Sequence, residues 1–275
     1  MPATILGQGD MTLRDAVSST HGAGAELGDA RRHFVAGNPT GRPPPEGREV
    51  MQDPAQSVAE GFVLAGGRST RMGQDKALLP WAGRPLLEVA LDKLRVLPLA
   101  TAPRIAAARS DLSSHARVIA DLHPGCGPLS GIEAALAASS RPLNVFLPVD
   151  VPLLPAQFLL WMLQRAETTG ALVTVPRING WSQALCAVYH RDLLGHISAS
   201  LVAGDYKVMP VVTAAAGPLS QSPRSQSIDV FDLELVASAN AQLLAFSPLP
   251  LYRWFHNCNS PADMAVMGNA LVLTQ

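Results

Sequence analysis

The sequence predicts an α/β fold of three layers, with helices covering both faces of a mostly parallel sheet. Three observations carry this. Short apolar runs that read as buried strands alternate with segments of helical periodicity from about residue 61 onward. The strand expected over 144–148 is apolar almost throughout, as in a sheet buried on both faces. Hydrophobic residues make up 48 % of the 275 positions and charged residues 16 %, enough to build a sizeable core.

Taken in order, Phe62-Val63-Leu64-Ala65 is a buried strand that runs into the Gly66-Gly67 turn. Apolar residues recur at helical spacing over 86–97. Residues 104–108 and 118–121 read as strands, 130–138 as a helix of small residues, 144–148 as a fully buried strand and about 156–168 as a helix. Strands are expected again over 171–175 and 184–189, and a helix over 192–202. The stretch 217–227 is rich in Ser, Pro and Gln and reads as a loop. Residues 230–246 read either as one amphipathic helix or as a strand followed by a helix. Ser260-Pro261-Ala262-Asp263 combines a capping Ser, a Pro at the first helical position and an acid three residues after the cap, so a last helix is expected to start there.

Residues 1–57 stand apart. Positions 37–48 are Pro/Gly-rich without apolar period, so this extension is expected to be largely disordered, with at most a short helix at 11–17. The domain is then 58–275, with 214–250 as a candidate insertion. A net charge of −1 supplies no field to attract nucleic acid or an anionic membrane, and neither is expected as a partner. No run of about 18 apolar residues is present, and the first residues lack the basic and apolar regions of a secretory signal. Cys126, Cys186 and Cys258 are scattered, without a CxxC pair, which argues against a disulfide framework or a structural zinc site and for the cytoplasm. His190, His196 and His256 lack metal-ligand spacing.

The densest signal is Leu64-Ala65-Gly66-Gly67-Arg68-Ser69-Thr70-Arg71-Met72-Gly73-Gln74-Asp75-Lys76. Two glycines after a buried strand let the backbone approach a ligand, and open amides there suit phosphate. Arg71 and Lys76 add a forked cation and a point charge, the combination a triphosphate requires. The string is neither a P-loop nor the G-x-G-x-x-G dinucleotide fingerprint. Two acids end later strands. Asp150, in Pro148-Val149-Asp150-Val151-Pro152, reads either as a Mg²⁺ ligand at the carboxyl edge of a parallel sheet or as the cap of the following helix. Asp121, at the end of the strand, reads by itself as a turn residue before His123-Pro124-Gly125. Gly127-Pro128-Leu129-Ser130-Gly131 opens a helix, whose N-terminus favours an anion or a polar ligand group.

LAGG-x-x-x-RMG-x-DK, followed by Ala77-Leu78-Leu79 and Gly83-Arg84-Pro85-Leu86-Leu87, resembles the signature of the MobA-type nucleotidyltransferases. The resemblance covers about 61–267, densely to 152 and in patches after 177. It implies a Rossmann-like sandwich of the nucleotide-diphospho-sugar transferase type and transfer of a nucleoside monophosphate from an NTP to a phosphorylated acceptor. By resemblance Arg71, Lys76 and Asp150 are catalytic, and Asp150 holds Mg²⁺. Leu64, Ala65, Gly66, Gly67, Lys76, Asp121 and Asp150 bind the nucleotide.

Downstream, Gln183–Tyr189 resembles a family strand that more commonly has Pro at the position of Ala184, and 204–209 resembles a loop bearing a basic residue, Lys207. Asn257-Cys258-Asn259-Ser260-Pro261 resembles the family's N-x-N-[TS]-P. By resemblance Lys207, Asn257 and Asn259 face the acceptor, and Asn259 reads equally as a turn residue beside the Ser260 cap. The double glycine and the DK pair resemble the guanylyltransferase branch, which implies GTP as donor and molybdenum-bearing molybdopterin as acceptor, with molybdoenzymes or other molybdenum-cofactor proteins as further partners. A cytidylyltransferase, a sugar-phosphate nucleotidyltransferase or a non-catalytic nucleotide-binding regulator are the competing readings.

Overall fold

The structure is a computed structural model that describes residues 56–66, 75–219, 227–259 and 263. The expectations for the N-terminal extension up to residue 55, for Gly67 and Arg71, for 220–226 and for the start of the last helix at Ser260 lie outside the described residues.

The sheet is built around β1 (Ala59–Leu64), buried at all six positions. After a 3₁₀ turn, a small hairpin of β2 (Pro80–Trp81) and β3 (Arg84–Pro85) leads to α1 (Leu86–Arg95), which buries Leu86, Leu87, Ala90, Leu91 and Leu94 on one stripe. Then come β4 (Arg104–Ala106), β5 (Val118–Ile119), α2 (Pro128–Ala138), β6 (Leu143–Pro148) and α3 (Ala156–Thr169). The second half supplies β7 (Val173–Ile178), β8 (Trp181–Ser182), β9 (Ala187–His190), α4 (Leu194–Ala203), α5 (Val208–Leu219), β10 (Ile228–Asp232), α6 (Leu233–Ala239), α7 (Ala241–Leu244) and α8 (Leu251–Trp254).

Strand order is β10-β7-β9-β6-β1-β4-β5, with β8 paired to β7. The pairs β10–β7, β6–β1, β1–β4 and β4–β5 are parallel, while β9 runs antiparallel to both its neighbours, β6 and β7. The mostly parallel sheet is therefore as expected, with β9 reversed within it and the two-residue β8 reversed beside β7. Side chains alternate along β1: Val63 joins α1 and α3 on one face, and Phe62 and Leu64 join α2, α4 and α5 on the other. Phe62, Phe146 and Tyr189 stack across β1, β6 and β9 at centroid distances of 5.6 Å. From β1 the chain passes to β4 and β5 on one flank, then crosses to β6 on the other. Such a reversal of strand order opens a crevice at the carboxyl ends of β1 and β6.

Several boundaries differ from expectation. Residues 230–246 form neither a single helix nor a strand with one helix; β10 is followed by α6 and α7. Where a loop is expected from 217, residues 217–219 instead end α5, which runs to Leu219. Its Pro210 sits in the first helical turn, where the missing N–H has no intrahelical acceptor to lose. β8 was not expected. It arises from the tight turn at Asn179 (φ 49°) and Gly180 (φ 78°), a pair that suits two consecutive left-handed positions.

Candidate active site

The carboxyl ends of β1, β4 and β6 stay zipped for one residue beyond the strands. Ala65 N–H donates to Ala106 O at 3.1 Å and Val149 N–H to Leu64 O at 3.2 Å. Leu64 and Ala65 are buried, and these two backbone groups belong to the sheet rather than to an open cradle, a narrowing of what was expected of them. Gly66 is exposed, and a Cβ on it would meet no atom of the described residues within 4 Å.

Around this edge three of the expected side chains meet. Asp75 caps the 3₁₀ turn Lys76–Leu78, its Oδ1 accepting from Ala77 N–H at 3.1 Å, and so aims Lys76 inward. Lys76 Nζ lies 2.5 Å from Asp150 Oδ2 and 2.5 Å from Asn259 Oδ1. The ion pair is largely enclosed, with side-chain exposures of 21 % and 18 %. Asp150 stands two residues past β6, and the helix after it is capped at Pro155 without a side-chain bond, so Asp150 is not its cap. The C-terminal segment is tied to this point by Cys258 N–H donating to Asp150 O at 2.7 Å, and Asn259 N–H donates to Asp263 Oδ2 at 2.9 Å. Burial pushes the Cys258 thiol up to about 11, so it stays protonated beside the pair and offers no thiolate nucleophile.

Asp121 lies two residues beyond β5, next to Leu64 and to Gly131 of α2. Its Oδ1 is buried without a hydrogen-bond partner among the described residues. An orphaned carboxylate oxygen at a ligand-binding edge is more than a turn residue needs, and a ligand donor would satisfy it. Burial also holds this carboxyl above its ordinary value of 3.8. The folded chain thus holds that proton more tightly than the unfolded chain does. Ionisation costs stability as pH rises through the raised value, and the cost persists at neutrality. Asp121→Asn is expected to raise the thermal midpoint near neutral pH, to lose that gain below the ordinary carboxylate value, and to weaken nucleotide binding. Melts over a pH series, with and without nucleotide, check this; an unchanged midpoint at neutral pH would count against the assignment.

Two other expected residues, Lys207 and Asn257, are not gathered in. Lys207 is exposed between α4 and α5, and no hydrogen bond or ion pair joins it to the Lys76–Asp150 pair. Asn257 is exposed one residue before the buried Cys258. Two features escaped the sequence reading. Arg109, just past β4, ion-pairs with Asp75 at 2.6 Å and with Asp111, clamping the cap that aims Lys76. A cation directly after a parallel strand is the signal that marks it. His123 Nδ1 lies 2.7 Å from Oε2 of the buried Glu133 on α2.

Among the described residues no three His, Cys, Asp or Glu side chains converge as a protein-only metal cage. Asp150 presents one carboxylate at an open edge, which matches how Mg²⁺ is held when phosphate oxygens and water complete its shell. A cavity of about 600 Å³ lined by Ser57, Val58, Leu143 and His190 lies at the opposite, amino-terminal edge of the sheet and holds none of these groups.

The family model for the MobA-like NTP transferase domain matches residues 61–218. The molybdenum cofactor guanylyltransferase of Xanthomonas euvesicatoria pv. vesicatoria is 34 % identical over 203 residues, covering 73 % of this chain and 89 % of its own. The probable molybdenum cofactor guanylyltransferase of Methanothermobacter thermautotrophicus is 30 % identical over 212 residues, covering 74 % and 96 %. The solved structure of molybdopterin-guanine dinucleotide biosynthesis protein A from Archaeoglobus fulgidus superposes with a TM-score of 0.60 at 21 % identity, over 78 % of this chain and 99 % of that one, a likeness of fold.

Proposed function

The chain belongs to the MobA-like NTP transferase family, and from this premise we propose that it moves GMP from GTP onto molybdenum-bearing molybdopterin, releasing pyrophosphate and leaving a guanine dinucleotide cofactor. The observation that carries the reading is the meeting of Lys76, Asp150 and Asn259 at the crevice between β1 and β6.

The acceptor's terminal phosphate attacks the α-phosphorus of GTP in line; one P–O bond forms, the bond to the β-phosphate breaks and pyrophosphate departs. Asp150 would hold Mg²⁺, which when bound neutralises charge on the triphosphate. Lys76, released from its pair with Asp150, follows the phosphates and balances the charge that develops on them. Arg71 is assigned the same work from the signature loop. The Gly66-Gly67 turn gives the donor room, and Asp121 accepts from its base or sugar. Asn259 faces the acceptor; Asn257 and Lys207, exposed and apart from the Lys76–Asp150 pair, are assigned to it by family resemblance alone. The three cysteines are free thiols, which fits a reducing compartment, the cytoplasm. No helix among the described residues is long and apolar enough to cross a membrane.

GTP is the expected donor. Guanine presents N1–H and N2–H₂ together, a pair that adenine lacks at that edge, and a site built to bond such groups rejects a base without them. With purified molybdenum cofactor, pyrophosphate release should show kcat/KM for GTP at least about a hundredfold above CTP and ATP. Comparable turnover with CTP would shift the reading to cytidylyl transfer, and tight nucleotide binding without turnover would favour a non-catalytic regulator.

A further inference from the structure

Directly behind the Asp150 turn lies a half-buried lysine amine that the transfer step does not use. Lys93, on α1, donates from Nζ to Pro152 O at 2.5 Å and to Val151 O at 3.2 Å. These carbonyls follow Asp150 immediately. The run from Val151 to Pro155 is buried, so its backbone acceptors lie away from water and need donors from the protein. Val151 O has a second, longer donor in Leu154 N–H at 3.3 Å, whereas Pro152 has no N–H of its own to give the turn.

Keeping a lysine in this place is costly. Burial lowers its amine from 10.5 to about 7, and the nearby Cys186 thiol, itself buried and pushed up to about 12, stays protonated and supplies no counter-charge. An apolar residue would cover the core side of α1 without that cost, so the two hydrogen bonds are what the lysine adds. They do not require the charge, because a neutral amine still carries two N–H donors.

We propose that Lys93 is a positioning residue: by pinning the carbonyls of Val151 and Pro152 it sets the direction in which the Asp150 carboxylate meets the metal–triphosphate. This rests on the assignment of Asp150 as the metal ligand. Groups that orient a metal ligand from behind are worth roughly 10–100-fold in metal affinity or rate.

The decisive comparison is Lys93→Met, which keeps the stem and removes the donors. Mn²⁺ binding to the full-length protein with a non-hydrolysable GTP analogue, followed by electron paramagnetic resonance, should weaken about tenfold. Affinity for the analogue without metal should stay unchanged, and kcat should fall by a similar factor with KM for GTP steady. In an Asp150→Asn background the same substitution should add little, because both act through one carboxylate. Unchanged Mn²⁺ affinity, or a loss as large in that background as in the wild type, overturns the proposal. If Lys93→Met does not fold, Lys93→Arg, which keeps donors but displaces them, takes its place in the Mn²⁺ measurement: weakened binding is expected, and unchanged binding overturns the proposal. If the wild type binds Mn²⁺ and the analogue yet transfers nothing to molybdopterin, the acceptor assignment fails while the metal measurements still decide the role of Lys93.

Discussion

Asp150→Asn is expected to reduce GMP transfer by at least about 10³-fold while leaving the fold in place. The substitution keeps the shape of the side chain and an oxygen toward Lys76, and removes the negative charge that Asp150 offers a divalent cation. A metal contributes several kcal/mol of charge stabilisation in the transition state, and each 1.36 kcal/mol is a factor of ten in rate. Stability should change far less. The amide oxygen still accepts from Lys76, so only the charge of the pair is lost, on the order of 1 kcal/mol, which for a domain of this size moves the thermal midpoint by about 2–4 °C. Anchoring of the C-terminal segment should survive as well, because Cys258 N–H bonds the backbone carbonyl of residue 150 rather than its side chain. Steady-state pyrophosphate release beside a thermal melt separates the two effects. Near wild-type turnover with Mg²⁺ would refute the metal assignment.

Lys76→Ala should lower kcat by roughly two to four orders of magnitude, the range for losing one preorganised charge partner of the transition state. The structure adds a second consequence. Lys76 bridges Asp150 and Asn259, residues delivered by different parts of the chain, so its removal leaves the carboxylate without its cation and the Asn259 carbonyl without its donor. The double variant Lys76→Ala with Asp150→Asn should therefore be far less impaired than the product of the single effects, as expected for groups that act as a unit. Strict multiplicativity would mean that the two side chains work independently, and an unchanged rate for Lys76→Ala would return that lysine to the solvated surface.

Much of the site was legible because its parts are local. A buried strand, a double glycine and the Asp75-Lys76 pair stand within one short stretch, and the cap that turns Lys76 inward needs only neighbouring atoms. Asp150 was legible as the acid after an apolar strand. Arg109 and Lys93 were not. Arg109 stands just past a strand, where a cation is a readable sign, but its hold on Asp75 shows only in the fold; Lys93 looks like an ordinary helix residue, and only the Val151–Pro152 carbonyls reveal its role. The Asn179-Gly180 turn was a readable hairpin signal, but the two-residue strand it forms is too short for any period to show. Helix α5 was hidden by Pro210 and Gly217, residues that usually end helices but here sit in its first turn and near its close.

The sequence by itself determined the alternation of strands and helices, the burial of the strands on both sides, and the inventory of charged groups at strand ends. These follow from periodicity, turn chemistry and composition, each decided within a few residues. The reversal of β9, the crossing from β5 to β6 and the meeting of Lys76 with Asp150, 74 positions on, and with Asn259, 183 positions on, were decided only by the tertiary structure. Strand order and register depend on which apolar faces cover one another over the whole chain, and no local preference specifies that pairing.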